Sequence, residues 1–175
     1  LSGIQPNPRS GKVYEGIDLV RKEQVDFLLA VGGGSAIDTA KAIGFGANYE
    51  GDFWDIFLKK ASIESCLPVG VVLTIAAAGS EGSGNCVITH EDGNRKWGCP
   101  ATDLLRPKFA VMNPRYTSTL PPYQIASGAV DMMAHIFERY FTNTPDVGLT
   151  DNLCEALLKT ILSAAPKALA DPNDY

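Results

Sequence analysis

Histidine is nearly missing from this chain: two in 175 residues, His90 and His135. Any imidazole-based metal site within it must draw on those two. Cysteine is sparse as well. Cys66, Cys86, Cys99 and Cys154 lie 20, 13 and 55 residues apart and form no CxxC pair, which excludes a zinc ribbon and supplies no disulfide frame. They read as reduced thiols of a cytoplasmic protein, with core packing the default for Cys66 and Cys86 beside apolar runs. Basic runs longer than a pair are absent and the net charge is −5, so nucleic acid is not an expected partner. Nor is a membrane: the longest apolar stretch, Val69 to Ala78, is too short for a bilayer and contains Gly70 and Thr74. Residues 1–11 carry no secretory-signal pattern. Neither GxGxxG nor GK[ST] follows the glycine-rich turn at 32–34, which excludes a Rossmann fingerprint and a P-loop there.

What remains is a chain that can fold. Hydrophobic residues make up 45% and charged residues 20%, enough apolar surface for a real core. Residues 1–11 are a Pro/Gly/Asn-rich loop. Lys12 to Glu23 reads as an amphipathic helix, and Val25 to Val31 as a short buried strand. Ser35 to Ala47 reads as a helix, and Leu67 to Ile75 as a second buried strand. Cys86 to His90 and Arg95 to Gly98, joined through Asp92-Gly93, read as a β-hairpin. A short strand follows at Phe109 to Met112. This alternation predicts an α/β sandwich with a parallel sheet. Pro121-Pro122 marks a boundary. Beyond it only helices are expected, at 122–141 and 147–163. The organisation expected is an α/β domain over 1–121 and the start of an all-helical domain over 122–175. The missing initial Met and the loop-like ending at Tyr175 suggest an internal fragment of something longer.

Val31-Gly32-Gly33-Gly34-Ser35 sits where a strand turns into a helix. Three glycines let the chain turn tightly and let a phosphate approach without meeting a Cβ. The helix behind them aims free N–H groups and its positive dipole end at the same space. A tight turn capped by Ser35, with Asp38 closing a capping box, is the plainer alternative, and for Asp38 it is strong. Thr74 and Ser80 follow the next strand at the sheet edge where α/β proteins bind ligands. Lys96 beside Trp97 reads on its own as a solvated hairpin lysine, and His90 as a surface residue. Tyr116 precedes the boundary and is expected to face a cleft.

Asp131 and His135 lie four residues apart on a helix. That spacing puts carboxylate and imidazole on one face, one turn apart, where they can share a divalent metal. On a helical wheel Gln124, Ser127, Gly128, Asp131, His135 and Glu138 form one narrow stripe. The rest of the circumference is apolar, which predicts a buried helix whose polar stripe needs partners.

Four segments together resemble the iron-containing (group III) alcohol dehydrogenases, in their NAD(P)H-dependent butanol dehydrogenase branch. They are VDFLLAVGGGSAIDTAKAI at 25–43, LTIAAAGSEGSG at 73–84, FAVMNPRYTSTLPP at 109–122 and ASGAVDMMAHIFERYF at 126–141. The resemblance implies a dehydroquinate-synthase-like α/β nucleotide-binding domain followed by the first helices of an all-α metal-binding domain. It implies NAD(P)H and Fe²⁺ (or Zn²⁺) as cofactors, an aliphatic alcohol or aldehyde as substrate, and a homodimer or larger. By position, Gly33, Gly34, Ser35 and Asp38 resemble the pyrophosphate motif. Thr74 and Ser80 resemble cofactor contacts, and Lys96 and Tyr116 the nicotinamide side of the cleft. Asp131 and His135 resemble the first two metal ligands, which makes them the implied catalytic pair. The family's remaining two histidine ligands and its first βαβ unit have no counterpart here, which again points to a fragment. A glycerol-dehydrogenase-like polyol oxidoreductase, a dehydroquinate-synthase-like lyase and a truncated non-catalytic nucleotide-binding chain are the competing readings. The lyase stands lowest, because that family places Glu where this chain has Asp131.

Overall fold

A computed structural model of the chain describes residues 1–174. The first helix, α1 (Ser10–Glu23), buries Val13, Ile17 and Val20. Strand β1 (Leu28–Gly32) leads into α2 (Gly34–Asn48), a one-turn helix α3 (Trp54–Phe57) and strand β2 (Val69–Leu73). Strands β3 (Val87–His90) and β4 (Arg95–Gly98) form an antiparallel hairpin that turns through Gly93. Strand β5 (Phe109–Val111) closes the α/β part. Two long helices follow, α4 (Pro122–Tyr140) and α5 (Gly148–Ala170). The chain divides into two compact units, one of Leu1–Leu73 with Ser80–Met112, the other of Thr74–Gly79 with Asn113 onward.

In the first unit, β1, β2 and β5 form a parallel sheet with β2 in the middle. Leu28 pairs with Val69 and Gly32 with Leu73, while Gly70 pairs with Phe109. One face is dry: Ala30, Val69, Val71 and Leu73 pack with Ile37 of α2. The opposite face presents Leu29, Val31, Phe109 and Val111, all exposed, with Val31 at 61%. Parallel sheets are normally covered on both faces; here the described residues cover one. A second, aromatic-rich core joins α1, α2 and α3 to the hairpin, through Ile17, Ile43, Phe45, Phe53, Phe57 and Ile88. His90 belongs to its rim. The expectation of a surface histidine fails, because the ring is half-buried 4.6 Å from that of Trp54.

In the second unit α4 and α5 pack together. Tyr140 donates to Glu155 Oε1 at 3.2 Å across the pair. The expected burial of α4 is not observed. Only Gly128 and Ala129 are buried, while Val130 is 65% exposed and Phe141 75%. The apolar circumference is real, but α5 and segment 74–79 are too little to wrap it. Helix α5 also runs past the predicted stop at 163, carrying Pro166 inside it to end at Ala170. Proline removes one rung there, and the helix continues beyond it. An apolar cavity of about 250 Å³ within this unit is lined by Ile75, Ala76, Leu120, Gln124, Met132 and Ile161, among others.

Candidate functional site

The glycine turn is built by the strand that precedes it. Gly32 ends β1 at φ +155, and a Cβ there would stand 2.8 Å from that of Ala36. Only glycine lets β1 pass so directly into α2. The helix begins at Gly34 with Gly33 as N-cap, and no side chain caps it. The capping alternative is therefore overturned. Ser35 is already inside the first turn, its carbonyl accepting from Thr39 Oγ1 at 2.8 Å. Asp38 does not fold back on the helix end either. Its Oδ1 accepts from Ser80 Oγ at 2.5 Å and its Oδ2 from the Val87 amide at 2.9 Å. What faces outward at Gly33–Ser35 is an uncapped helix start backed by a 15-residue helix, the geometry that favours an anion. Gly34 has open room, its nearest neighbour being Ser80, whose Cβ a methyl would meet at 3.8 Å. The small residues thus leave the amides of this helix start uncovered by any nearby Cβ, and a pyrophosphate-bearing cofactor suits the donors present.

Lys41 was not expected in any role. It is fully buried, at 0% exposure. Its Nζ donates to the carbonyls of Ser80, Ser83 and Asn85 at 2.7 to 2.9 Å, and to Ser83 Oγ at 3.0 Å. It also reaches Ser80 Oγ at 3.3 Å. Burial pushes the Lys41 ammonium down and the Asp38 carboxyl up, and each group's charge partly offsets the other's shift. A signal for Lys41 existed: it lies four residues after Ile37, on a helix face otherwise made for the core.

The other expected cofactor contacts fall less tightly. Lys96 is exposed, and its Nζ donates to Asn7 Oδ1 at 2.7 Å while its charge lowers the Asp38 pKa. Its neighbour Trp97 stacks on Trp54. Thr74 directly follows β2 and is half-buried. Tyr116 lies in a 3-10 turn, Pro114–Thr117, and is 48% exposed.

On α4 Asp131 and His135 lie one turn apart on one face. His135 Nε2 lies 3.8 Å from Asp131 Oδ2, and His135 Nδ1 lies 3.4 Å from Glu138 Oε2. Arg139 Nη1 donates to the His135 carbonyl at 2.6 Å. The side chains of Asp131 and His135 are a little under half exposed. An anionic oxygen and an imidazole nitrogen suit a divalent cation such as Zn²⁺ or Fe²⁺. Among the described residues no group of three or more His, Cys, Asp or Glu that could hold a metal ion is present. Among the same residues no helix is long and apolar enough to cross a membrane.

A parallel α/β unit with a glycine turn at its first strand-to-helix junction, followed by two paired helices, defines an α/β-plus-helical class of fold. Within it, a family model described as iron-containing alcohol dehydrogenase matches residues 1–114. A second, described as Fe-containing alcohol dehydrogenase family, C-terminal, matches residues 125–175. The chain belongs to the iron-containing alcohol dehydrogenase family. It is 49% identical to the probable NADH-dependent butanol dehydrogenase 2 of Bacillus subtilis (strain 168), over 100% of this chain and 45% of that protein. It is 41% identical to the NADPH-dependent aldehyde reductase YqhD of Escherichia coli (strain K12), over 100% of this chain and 46% of that one. Among solved structures, NADH-dependent butanol dehydrogenase A from Thermotoga maritima matches with a TM-score of 0.95 at 42% identity, covering 100% of this chain and 44% of that one. The chain thus spans just under half the length of the curated relatives it matches.

Proposed function

We propose that the protein is an NAD(P)H-dependent oxidoreductase acting on primary aliphatic alcohols and the corresponding aldehydes. The observation that supports it best is the likeness over the whole chain to butanol dehydrogenases and an aldehyde reductase. That likeness takes in both the glycine turn and the helix carrying Asp131 and His135. In this reading the amides at Gly33, Gly34 and Ser35 bind the cofactor's diphosphate. Thr74, Ser80, Lys96 and Tyr116 line its path. Asp131 and His135 hold one divalent ion, Fe²⁺ or Zn²⁺. When bound at these residues, the nicotinamide would supply hydride chemistry and the cation Lewis acidity toward a substrate oxygen. The chain's own work is to orient: the helix start fixes the diphosphate, and no side chain needs to act as nucleophile.

Two ligands hold a metal loosely. The 175-residue stretch by itself is therefore expected to bind cofactor weakly and to turn over little. A cytoplasmic homodimer or larger assembly of the whole protein completes this reading. Its test is Asp131→Ala in the protein as its gene encodes it. Metal-dependent alcohol oxidation should fall by more than about 100-fold, beyond the loss typical of outer-shell changes. NADH or NADPH binding, followed by nicotinamide fluorescence, should persist. Loss of both together, or of neither, counts against the assignment.

A further inference from the structure

Cys86 and Cys99 face each other at the open end of the β3–β4 hairpin. Val87 pairs with Gly98, and one step outward the Cys99 amide donates to the Cys86 carbonyl at 2.9 Å. Directly opposed strand residues hold their Cα atoms about 4.5–5.5 Å apart, inside the span of about 4.4–6.8 Å that a disulfide bridges. Both cysteines are free, and their sulfurs already touch at 3.4 Å. No CxxC spacing announces the pair; the hairpin register alone brings the two together. Neither thiol has a part in the proposed hydride chemistry.

The two thiols are not equivalent. As a thiolate, Cys99 accepts from two donors, the Cys86 thiol and, at 3.3 Å, the Cys86 amide. Those bonds draw Cys99 down, while the same contact and complete burial push Cys86 up. Asp38 and Lys41 of α2 act on both sulfurs with opposite charge and partly cancel. Cys99 keeps 7% exposure against 1% for Cys86, and it lies between exposed Gly98 and Pro100. A small oxidant therefore meets Cys99 first. We propose that Cys86 and Cys99 are a reversible oxidation site, at which Cys99 reduces hydrogen peroxide and Cys86 resolves the product into a disulfide across the open end of the hairpin. The Cys99 thiolate takes one oxygen from the peroxide and becomes a sulfenic acid, and the other oxygen leaves as water after gaining a proton. The Cys86 sulfur then displaces the sulfenic hydroxyl, which leaves as a second water with the Cys86 proton. Two electrons and two protons pass from the thiols to the peroxide, and one S–S bond replaces two S–H bonds. Without Cys86 the sulfenic acid would go on to sulfinic acid, which thiols do not reverse, so the pair keeps the oxidation recoverable.

The test treats the protein as its gene encodes it with hydrogen peroxide at about pH 8, where an ordinary thiol is partly ionised. Cysteines are then mapped by mass spectrometry after digestion with trypsin and a glutamate-specific protease. Cleavage after Glu81 and Arg95 separates Cys86 from both Cys66 and Cys99. A linked Cys86–Cys99 peptide should form about tenfold or more faster than Cys66 is oxidised, because burial leaves Cys66 little thiolate. Dithiothreitol should return it to two thiols. In Cys86→Ser, Cys99 should accumulate as a sulfenic acid trapped by dimedone, and then as sulfinic acid. In Cys99→Ser, Cys86 should stay reduced over the same time. Should either variant fail to fold, the wild-type map alone decides. A Cys66–Cys99 link, sulfinic acid formed in the wild type without any link, or two free thiols after Cys66 has been oxidised would each overturn the proposal.

Discussion

Cys66 shows how one group's surroundings set its chemistry. Its Sγ points at the carbonyl of Leu67 at 3.3 Å, and a methyl on Gly44 would press within 2.8 Å of it. Burial pushes the thiol up to about 11. Only the thiolate is nucleophilic. At pH 8 the site should therefore alkylate about 100-fold more slowly than an ordinary thiol near 9, its rate climbing about tenfold per pH unit up to about 11. Peptide mapping after timed iodoacetamide labelling checks this, and a rate that levels off before pH 10 would contradict it. The sign for stability follows from the same shift. The folded state holds this proton more tightly than the unfolded one, so the contribution is full below about pH 9 and is lost as pH rises through about 11. The sequence placed Cys66 in the core on its apolar neighbours, which was sound. Lys41 escaped the same reading because a lysine on a helix is assumed to snorkel. Nothing local reveals that a loop some 40 residues later in sequence will wrap its ammonium.

Among the elements, α4 depends on one missing side chain. Gly128 lets the backbone of α4 close on the Ala76 carbonyl, and a Cβ there would clash with that oxygen outright. A backbone oxygen cannot move aside as a flexible side chain can. Gly128→Ala should therefore destabilise by about 1–3 kcal/mol, the usual cost of overpacking, although alanine is the better helix former. Urea denaturation of the variant against wild type measures it, and an unchanged or higher midpoint would refute the role given to Gly128. Placing Gly128 in a ligand-facing polar stripe missed this, because a helical wheel shows direction and not what approaches. Period and punctuation otherwise made most elements readable. Continuous apolar runs gave β1 and β2, Asp92-Gly93 gave the hairpin, and Pro121-Pro122 gave the start of α4. That Asp131 and His135 share a helix face was legible for the same reason, since i,i+4 spacing is local. The cap of α2 was not. Whether Asp38 bonds its own helix or Ser80 and Val87 is settled by a pairing more than 40 residues long.

The largest departure from a self-sufficient domain is the amount of apolar surface left in water. Leu29, Val31, Phe109 and Val111 line the open face of the parallel sheet, and both of its outer strands lack a partner beyond β2 among the described residues. In the helical unit Val130, Phe141, Leu149 and Leu162 are each at least 60% exposed. Patches of this kind mark contact with further structure, and unpaired strand edges invite pairing with other chains. The relatives are about twice as long as the span they share with this chain. Produced alone, the 175-residue chain should enhance anilinonaphthalene sulfonate fluorescence and self-associate as concentration rises through about 1–100 µM, the range in which exposed apolar species aggregate. Light scattering and size exclusion across that range measure it. The protein as its gene encodes it should do neither to the same degree. A dye-silent monomer from the 175 residues would mean that the exposed faces close on themselves in solution, and the argument that they are interfaces would fall.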